Sequence, residues 1–562
     1  MSLRWIAVAA ALCAVLMLPV AWEASQGWVF PDAISYLDMA SGAVRGSPAV
    51  LLKNAYWSPG YPAILALMMA VVRPTLAAEL HAVHVLHWLI FLFTTACFSW
   101  LVWNLLQWLR SYSWPTLDGE SGSIKALVCF GYSVFVLSNM NRTMWYVTPD
   151  MLLQGLVYLS AACALRLFLQ DGSWKHSVAL GLALGAGYWA KAAMCPSAIL
   201  LILVLFFHPP KGRPGRGHAV IALACFCLAA APLVLSLSHE KHRFTFGDTA
   251  KLAYAWFVNG IPPYAGWTGQ PAWSGTPAHA PRKVSEHPLI LEFRTPVSGT
   301  LPIWYDPSYW WEGVRVPFSV RRQWTALLRP FREVHSRQTE LLGLAAALAP
   351  LCLLSRRVRK AIRASGSQAW ILILWPAIVC AMHCLLLFTY RFLIAYFVLI
   401  SLGVAGLMLQ PSHKAGRART LFAAALLLAA AGELRLGLVL QAAFHPSDGG
   451  SLTREEGRDN GPSSAAVARQ LTRLGIRPGD EISALGYGFD CYYARLAGVR
   501  IVAQIWEDPD RIVNLSAPEV RRVLAQLKEI GVKALVSRVK PGFVNDDGWI
   551  AIPRTDVYVR VL

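Results

Sequence analysis

Apolar runs that approach the ~20 residues a helix needs to cross a bilayer recur along the whole chain. They fall at about 4–22, 82–108, 125–140, 150–169, 176–190, 193–208, 218–237, 339–354, 369–388, 391–409 and 420–440. A soluble core has no use for so many, so the bilayer is the solvent for most of this chain. Composition agrees: of 562 residues, 56% are hydrophobic and only 15% charged, with mean hydropathy +0.44, more apolar than a water-facing surface allows. The pattern predicts a polytopic α-helical membrane protein of about eleven transmembrane helices, followed by a small C-terminal α/β domain.

The first run carries Arg4 and ends near Pro19, as a signal peptide does, but it lacks a small-x-small cleavage site and is read as the first span. The run 61–72 is shorter and is closed by Arg73-Pro74, which suits a membrane-surface or re-entrant helix. With the N-terminus inside and that run not crossing, Arg110, Lys125, Lys175, Lys211, Arg213 and Arg216 fall on the cytoplasmic side. The later clusters, Arg356, Arg357, Arg359, Lys360 and Arg363, then Lys414, Arg417 and Arg419, fall there too, as the positive-inside rule requires. The net charge of +19 is thereby topology rather than a nucleic-acid footprint, because the cations sit in short clusters between apolar runs.

Three regions then lie outside: loops 23–78 and 238–338, which belong with the membrane part over 1–440, and the soluble stretch 441–562. Both loops are rich in Trp, Tyr and Pro, as in Trp304-Tyr305-Asp306-Pro307 and Tyr309-Trp310-Trp311. Such rings either anchor a loop in the headgroup layer or stack on sugar rings. The tail reads as helix over 465–474 and 518–530, and as strand over 481–485, 499–505, 533–536 and 557–562. Gly486-Tyr487-Gly488 is too short for a dinucleotide fingerprint. Ten of the eleven cysteines sit in or beside apolar runs, so they are small hydrophobes and not a disulfide framework.

Four ionisable residues fall at the outer membrane face, where topology gives no reason for charge: Asp32, Asp150, Lys191 and Arg391. Charge at membrane depth is costly and usually functional. Each has a plain alternative. Asp32 follows Pro31 and could cap a helix; Asp150 follows Thr148-Pro149 at a helix start, where the dipole favours an acid. Lys191 and Arg391 could snorkel to headgroup phosphates. Asp38 reads as a solvated neighbour, and His383, two turns before Arg391, as a buried hydrogen-bonded residue or a site component. His239, His242, His279 and His287 lack metal-ligand spacing, so no metal is assigned.

Over about residues 1–410 the chain resembles the GT-C glycosyltransferases of the family 39 type, which includes protein O-mannosyltransferases, lipid A aminoarabinose transferases and related bacterial enzymes. The residues that carry the resemblance are Pro31-Asp32 with Tyr36 and Ala40, then Tyr56-Trp57-Ser58-Pro59-Gly60-Tyr61-Pro62, then Thr148-Pro149-Asp150. Gly181-x3-Gly185-x5-Lys191 and Tyr390-Arg391-Phe392-Leu393 complete it. The chain departs from the family pattern where Tyr390-Arg391-Phe392 stands for Arg-Tyr, and where no second acid adjoins Asp32. The resemblance implies a catalytic role for Asp32, a second functional carboxylate at Asp150, and a donor-phosphate site at Lys191 and Arg391.

The expected activity is that of an inverting glycosyltransferase at the outer face of the cytoplasmic (inner) membrane, with the C-terminal domain on the periplasmic or extracellular side. The donor would be a polyprenyl-phosphate-linked sugar, the acceptor a lipid, glycan or protein. Tyr36, Tyr56, Trp57, Trp304, Tyr305, Trp310, Trp311 and His383 would shape the groove. No cofactor is called for, although a divalent cation between Asp32 and Asp150 stays open, and no nucleic acid is a partner. The rival expectation is a polytopic transporter or flippase for a lipid-linked or sugar substrate, which also tolerates intramembrane charge but commonly shows repeated halves.

Overall fold

The computed structural model describes residues 2–26, 29–112, 121–169, 173–210, 215–333, 370–408, 461–506, 516–538 and 548–562, apart from 264, 265, 295, 297, 487, 490 and 554. The runs expected at 339–354 and 420–440, and the basic clusters 356–363 and 414–419, lie outside them. In chain order the principal helices are α1 (Ser2–Ala24), α2 (Pro31–Arg45), α3 (Gly60–Val72), α4 (Glu79–Tyr112) and α5 (Ser121–Ser138). They continue as α6 (Asp150–Arg166), α7 (Trp174–Ala190), α8 (Met194–Phe207), α9 (Gly217–Glu240), α10 (Trp375–Cys384) and α11 (Tyr390–Met408). The last three are α12 (Gly461–Arg473), α13 (Tyr492–Ala497) and α14 (Ala517–Glu529). Every apolar run predicted within the described residues is helical.

Among the described residues four stretches are long and apolar enough to cross a membrane: Leu3–Ala24, Glu79–Ser111, Gly217–Glu240 and Tyr390–Leu407. More than one such helix makes a multi-pass membrane protein. A bilayer core offers no water to unpaired amides and carbonyls, so the chain satisfies them within helices. The 13 residues of α3 rise only about 20 Å at 1.5 Å each, short of the ~30 Å hydrocarbon core.

The chain divides into two compact units. The first comprises Met1–Glu23, His84–Phe246 and Ser319–Leu452. Within it, Gly181 and Gly185 lie one turn apart on α7. A Cβ at Gly181 would stand 2.4 Å from the Ala222 carbonyl oxygen and 2.5 Å from Cys225 Cβ; one at Gly185 would stand 2.4 Å from Ala229 Cβ. The glycine pair therefore lets α7 and α9 meet backbone to backbone, the small-residue packing that joins helices where lipid removes the hydrophobic drive. The first glycines of the Gly-x3-Gly-x5-Lys pattern thus have a packing cause. Elsewhere in this unit Phe98 of α4 stacks on Phe135 of α5 (4.5 Å, 8°) and meets Tyr158 of α6 edge-on.

The second unit comprises Ala24–Val83, Gly247–Phe318 and Thr453–Leu562. Its framework is a seven-stranded sheet of β1 (Arg282–Glu286), β2 (Leu289–Glu292), β3 (Glu481–Leu485), β4 (Arg500–Trp506), β5 (Ala534–Ser537), β6 (Trp549–Ala551) and β7 (Tyr558–Val561). The order is β1-β2-β4-β3-β5-β7-β6, parallel across β4-β3-β5 and antiparallel at both flanks. The middle of β4 is buried along its whole length, as a strand covered on both faces must be. Val523 and Leu527 of α14 pack with Val502, Ile505 and Leu535 in its core.

The predicted strands of the tail appear within a residue of their expected places, with β6 added beside β7, but β1 and β2 lie outside the tail and were unforeseen. They come from loop 238–338, so the sheet joins that loop to the tail, whereas the sequence groups the loops with 1–440. Arg-Lys-Val-Ser-Glu has no apolar alternation of its own, and becomes a strand by pairing with β2. β-propensity reports such neighbours more than the local chain.

Gly181→Val is expected to cost about 1–3 kcal/mol by overpacking, read as a lower unfolding temperature of the full chain in detergent. Wild-type melting would show that α7 and α9 separate freely.

Candidate functional site

The candidate residues fall into two groups, one in each compact unit. In the first unit, Asp150 is the first residue of α6, after the N-cap Pro149. It does not cap the helix. Its Oδ2 accepts from Thr148 Oγ1 at 2.8 Å, and its Oδ1 accepts from Lys191 Nζ. Arg391 Nε lies 3.7 Å from Oδ2. The Asp150 side chain is 1% exposed, and those of Lys191 and Arg391 are 16% and 12% exposed.

Lys191 is held here by a break in helical structure: α7 stops at Ala190, Lys191 itself is extended (φ −158, ψ 128), and α8 begins three residues on. Its ammonium lies 3.4 Å from the centroid of the Phe392 ring, on the residue after Arg391. Arg391 in turn lies 5.2 Å from the Tyr146 centroid and 5.0 Å from that of Phe392. Cations resting on aromatic faces and a shared carboxylate are not snorkelling. His383 joins the same neighbourhood, its ring 6.2 Å from Phe392.

Two cations share one carboxylate inside an apolar unit. Such a site attracts an anion, and the planar fork of a guanidinium suits phosphate. The same arrangement does not fit a divalent metal at Asp150, because both carboxylate oxygens already face cations. Among the described residues no three His, Cys, Asp or Glu side chains gather as metal ligands.

In the second unit, Asp32 sits in the first turn of α2, behind Pro31 and the N-cap Phe30. It too is not a cap. Its Oδ1 accepts from the Trp304 indole Nε1 at 3.3 Å, and the carboxylate is largely buried. Trp304 is fixed from loop 23–78: its carbonyl accepts from Ser35 Oγ and Trp57 Nε1, both at 3.0 Å. Asn54 folds the loop by accepting from the amides of Tyr56 (2.9 Å) and Trp57 (2.8 Å) while donating to the Tyr305 carbonyl (2.7 Å). Asn54 escaped the sequence reading, which had no means of seeing a partner 251 positions away.

The aromatic candidates largely form one packed set. Tyr36 meets Trp57 and Tyr61 edge-on, and Tyr56 contacts Trp57, Trp256 and Trp304. Trp311 meets Trp256 edge-on, and Trp310 donates its indole N–H to the Pro302 carbonyl. Tyr36, Trp57, Trp304, Tyr305, Trp310 and Trp311 are buried, while Tyr56 is partly exposed. The buried rings are therefore interior structure of loops 23–78 and 238–338, rather than headgroup anchors.

Asp38 corrects another expectation. It is buried, not solvated, and accepts from the Thr300 amide (2.6 Å) and from Arg495 Nη1 (2.5 Å). Arg495 also binds Glu79 through Nε (2.9 Å) and Nη2 (2.5 Å). Burial works against the guanidinium's charge, but the hydrogen bonds and charges of Glu79, and then Asp38, hold its pKa above the ordinary value.

No protein-family model matches the sequence, and no curated protein matches it. Solved structures similar to the chain include ArnT from Cupriavidus metallidurans bound to undecaprenyl phosphate, at 12% identity and TM-score 0.44, covering 99% of this chain and 98% of that one. Another is the Archaeoglobus fulgidus oligosaccharyltransferase in complex with Zn and sulfate, at 11% identity and TM-score 0.48, covering 95% and 67%. A third is the arabinofuranosyltransferase AftD from Mycobacteria, at 14% identity and TM-score 0.38, covering 96% and 37%. At these scores the likeness lends no argument about activity, which rests on the chemistry of the two groups of residues.

Asp150→Ala is expected to destabilise the fold by up to about 3 kcal/mol, since it takes the counter-charge from two partly buried cations. Thermal unfolding in detergent checks this; an unchanged transition would mean that solvent or lipid already neutralises them.

Proposed function

We propose that this protein is an inverting glycosyltransferase that moves a sugar from a polyprenyl-phosphate carrier to an acceptor at the outer face of the cytoplasmic membrane. The observation that carries the reading is the cluster of Lys191 and Arg391 around the buried Asp150 carboxylate: two partly buried cations gathered in the apolar helical unit suit a phosphate delivered on a lipid. The GT-C resemblance of the motifs around Asp32, Asp150, Lys191 and Arg391 points the same way.

In this reading the acceptor's hydroxyl or amine attacks the anomeric carbon from the face opposite the phosphate. The carbon–oxygen bond to the phosphate breaks, and the configuration inverts. Asp32 accepts the proton that the acceptor loses. Lys191 and Arg391 bind the phosphate and stabilise the charge that grows on it as polyprenyl phosphate departs. Asp150 holds both cations in place through its two oxygens; no step is routed through a metal. Trp304 orients Asp32, and Tyr56, partly exposed, is a ring on which a sugar can stack. The membrane helices face the bilayer, with loops 23–78 and 238–338 and the tail on the outer side.

Membranes carrying wild type, Asp32→Asn or Lys191→Met at matched expression are to be given radiolabelled polyprenyl-phosphate sugars and cell-envelope acceptors. Loss of a general base is worth about 10²–10⁴-fold in rate, so Asp32→Asn is expected to lower sugar transfer by at least about 10²-fold with donor binding retained. Lys191→Met is expected to weaken donor binding itself. Failure of folded wild type to consume any donor would overturn the enzyme and favour a transporter.

A further inference from the structure

Two contacts from a single segment of the sheet region reach the surroundings of Asp32, both within the second unit. After β3 the chain turns at Gly486 (φ +77) and passes Gly488, where a Cβ would stand 2.0 Å from Nε2 of the fully buried Gln504. Glycine at 488 lets the loop close down on β4. The next residue, Phe489, is thereby buried edge-on against Trp304, 4.9 Å between centroids at 77°. Trp304 is the residue whose indole donates to Asp32. A few residues later α13 carries Arg495, whose guanidinium binds Asp38 of α2, Ser41 of α2 and Glu79.

Asp38 follows Asp32 by six residues on the same helix, which at 3.6 residues per turn sets them about 120° apart around its axis. Arg495 thus grips α2 on a different side from the one that carries Asp32, and so governs the helix's rotation. Phe489 governs the ring that holds the carboxylate. A carboxylate about 6 Å from the helix axis moves about 1 Å for a rotation of ~10°, and a misplacement of that size can cost about 10²-fold in rate.

We infer that Phe489 and Arg495 are positioning residues for Asp32, through which the C-terminal sheet region sets the geometry of proton acceptance. The inference rests on the reading of Asp32 as the base. Neither residue touches substrate in this scheme; each acts through a neighbour, Trp304 in one case and α2 in the other.

The test is a double-mutant cycle on the purified full chain in detergent, with Phe489→Leu, Asp32→Glu and the pair, measuring kcat and KM for the labelled lipid-phosphate donor. Phe489→Leu is expected to lower kcat about 10–100-fold, with donor KM and binding of polyprenyl phosphate within about twofold. In the Asp32→Glu background, where the longer side chain no longer meets Trp304 in register, it is expected to cost less than about threefold, because coupled residues are not additive. Effects that multiply, or a wild-type kcat in Phe489→Leu, would overturn the positioning role. If Phe489→Leu does not fold, Arg495→Lys, which keeps the charge and loses the fork, answers through the same cycle. Full turnover by Asp32→Asn would instead remove the base itself, an outcome separate from failure of the cycle.

Discussion

A charge taken out of water must meet its counter-charge, and the candidate residues of this protein are organised by that demand. In the helical unit, Asp150 receives both Lys191 and Arg391. In the other unit, Arg495 receives both Asp38 and Glu79. One gathers two cations on a single carboxylate, an arrangement that suits an anion; the other sets two carboxylates on one guanidinium, with Asp38 also engaged by Thr300. The first is therefore suited to binding and the second to holding elements together. A buried ion pair contributes little net stability but is costly to break, and that asymmetry makes each cluster a constraint on its neighbours.

The second unit shows how polar and aromatic interactions divide the work around Asp32. Asn54 sets the turn of loop 23–78, Ser35 and Trp57 fix the Trp304 backbone, and the Trp304 indole reaches Asp32. The surrounding rings exclude water from these bonds, which strengthens each of them. Aromatic richness in loops 23–78 and 238–338 thus has a structural explanation first: Trp and Tyr rings pack on one another in their interior.

Much of the helical unit was legible because its signals are local. An apolar run declares a helix without reference to anything distant, and a charge at the edge of such a run, where topology gives no reason for one, is conspicuous; Asp150, Lys191 and Arg391 are legible this way, and the fold gathers them. Gly181 and Gly185 were legible as a pattern, though their cause, the approach of α9, was not. Asp38 was misread because nothing near it in the chain announces Arg495, 457 positions away. Strand β1 was missed for the same reason, since its polar residues become strand only against β2, and the short apolar β2 is strand only between β1 and β4.

By itself the sequence determined the medium, the helices, the alternation of strand and helix in the tail, and the four unusual charges. Each of these follows from hydropathy and period over a window of a turn or a run. Tertiary structure decided which carboxylate pairs with which cation, that Asp32 and Asp150 lie in the first turns of their helices without capping them, and that the outer aromatics are interior. It also decided that the second loop completes the sheet of the tail. These are relations between residues up to hundreds of positions apart, and such relations exist only once the chain has folded and brought their partners within hydrogen-bonding reach.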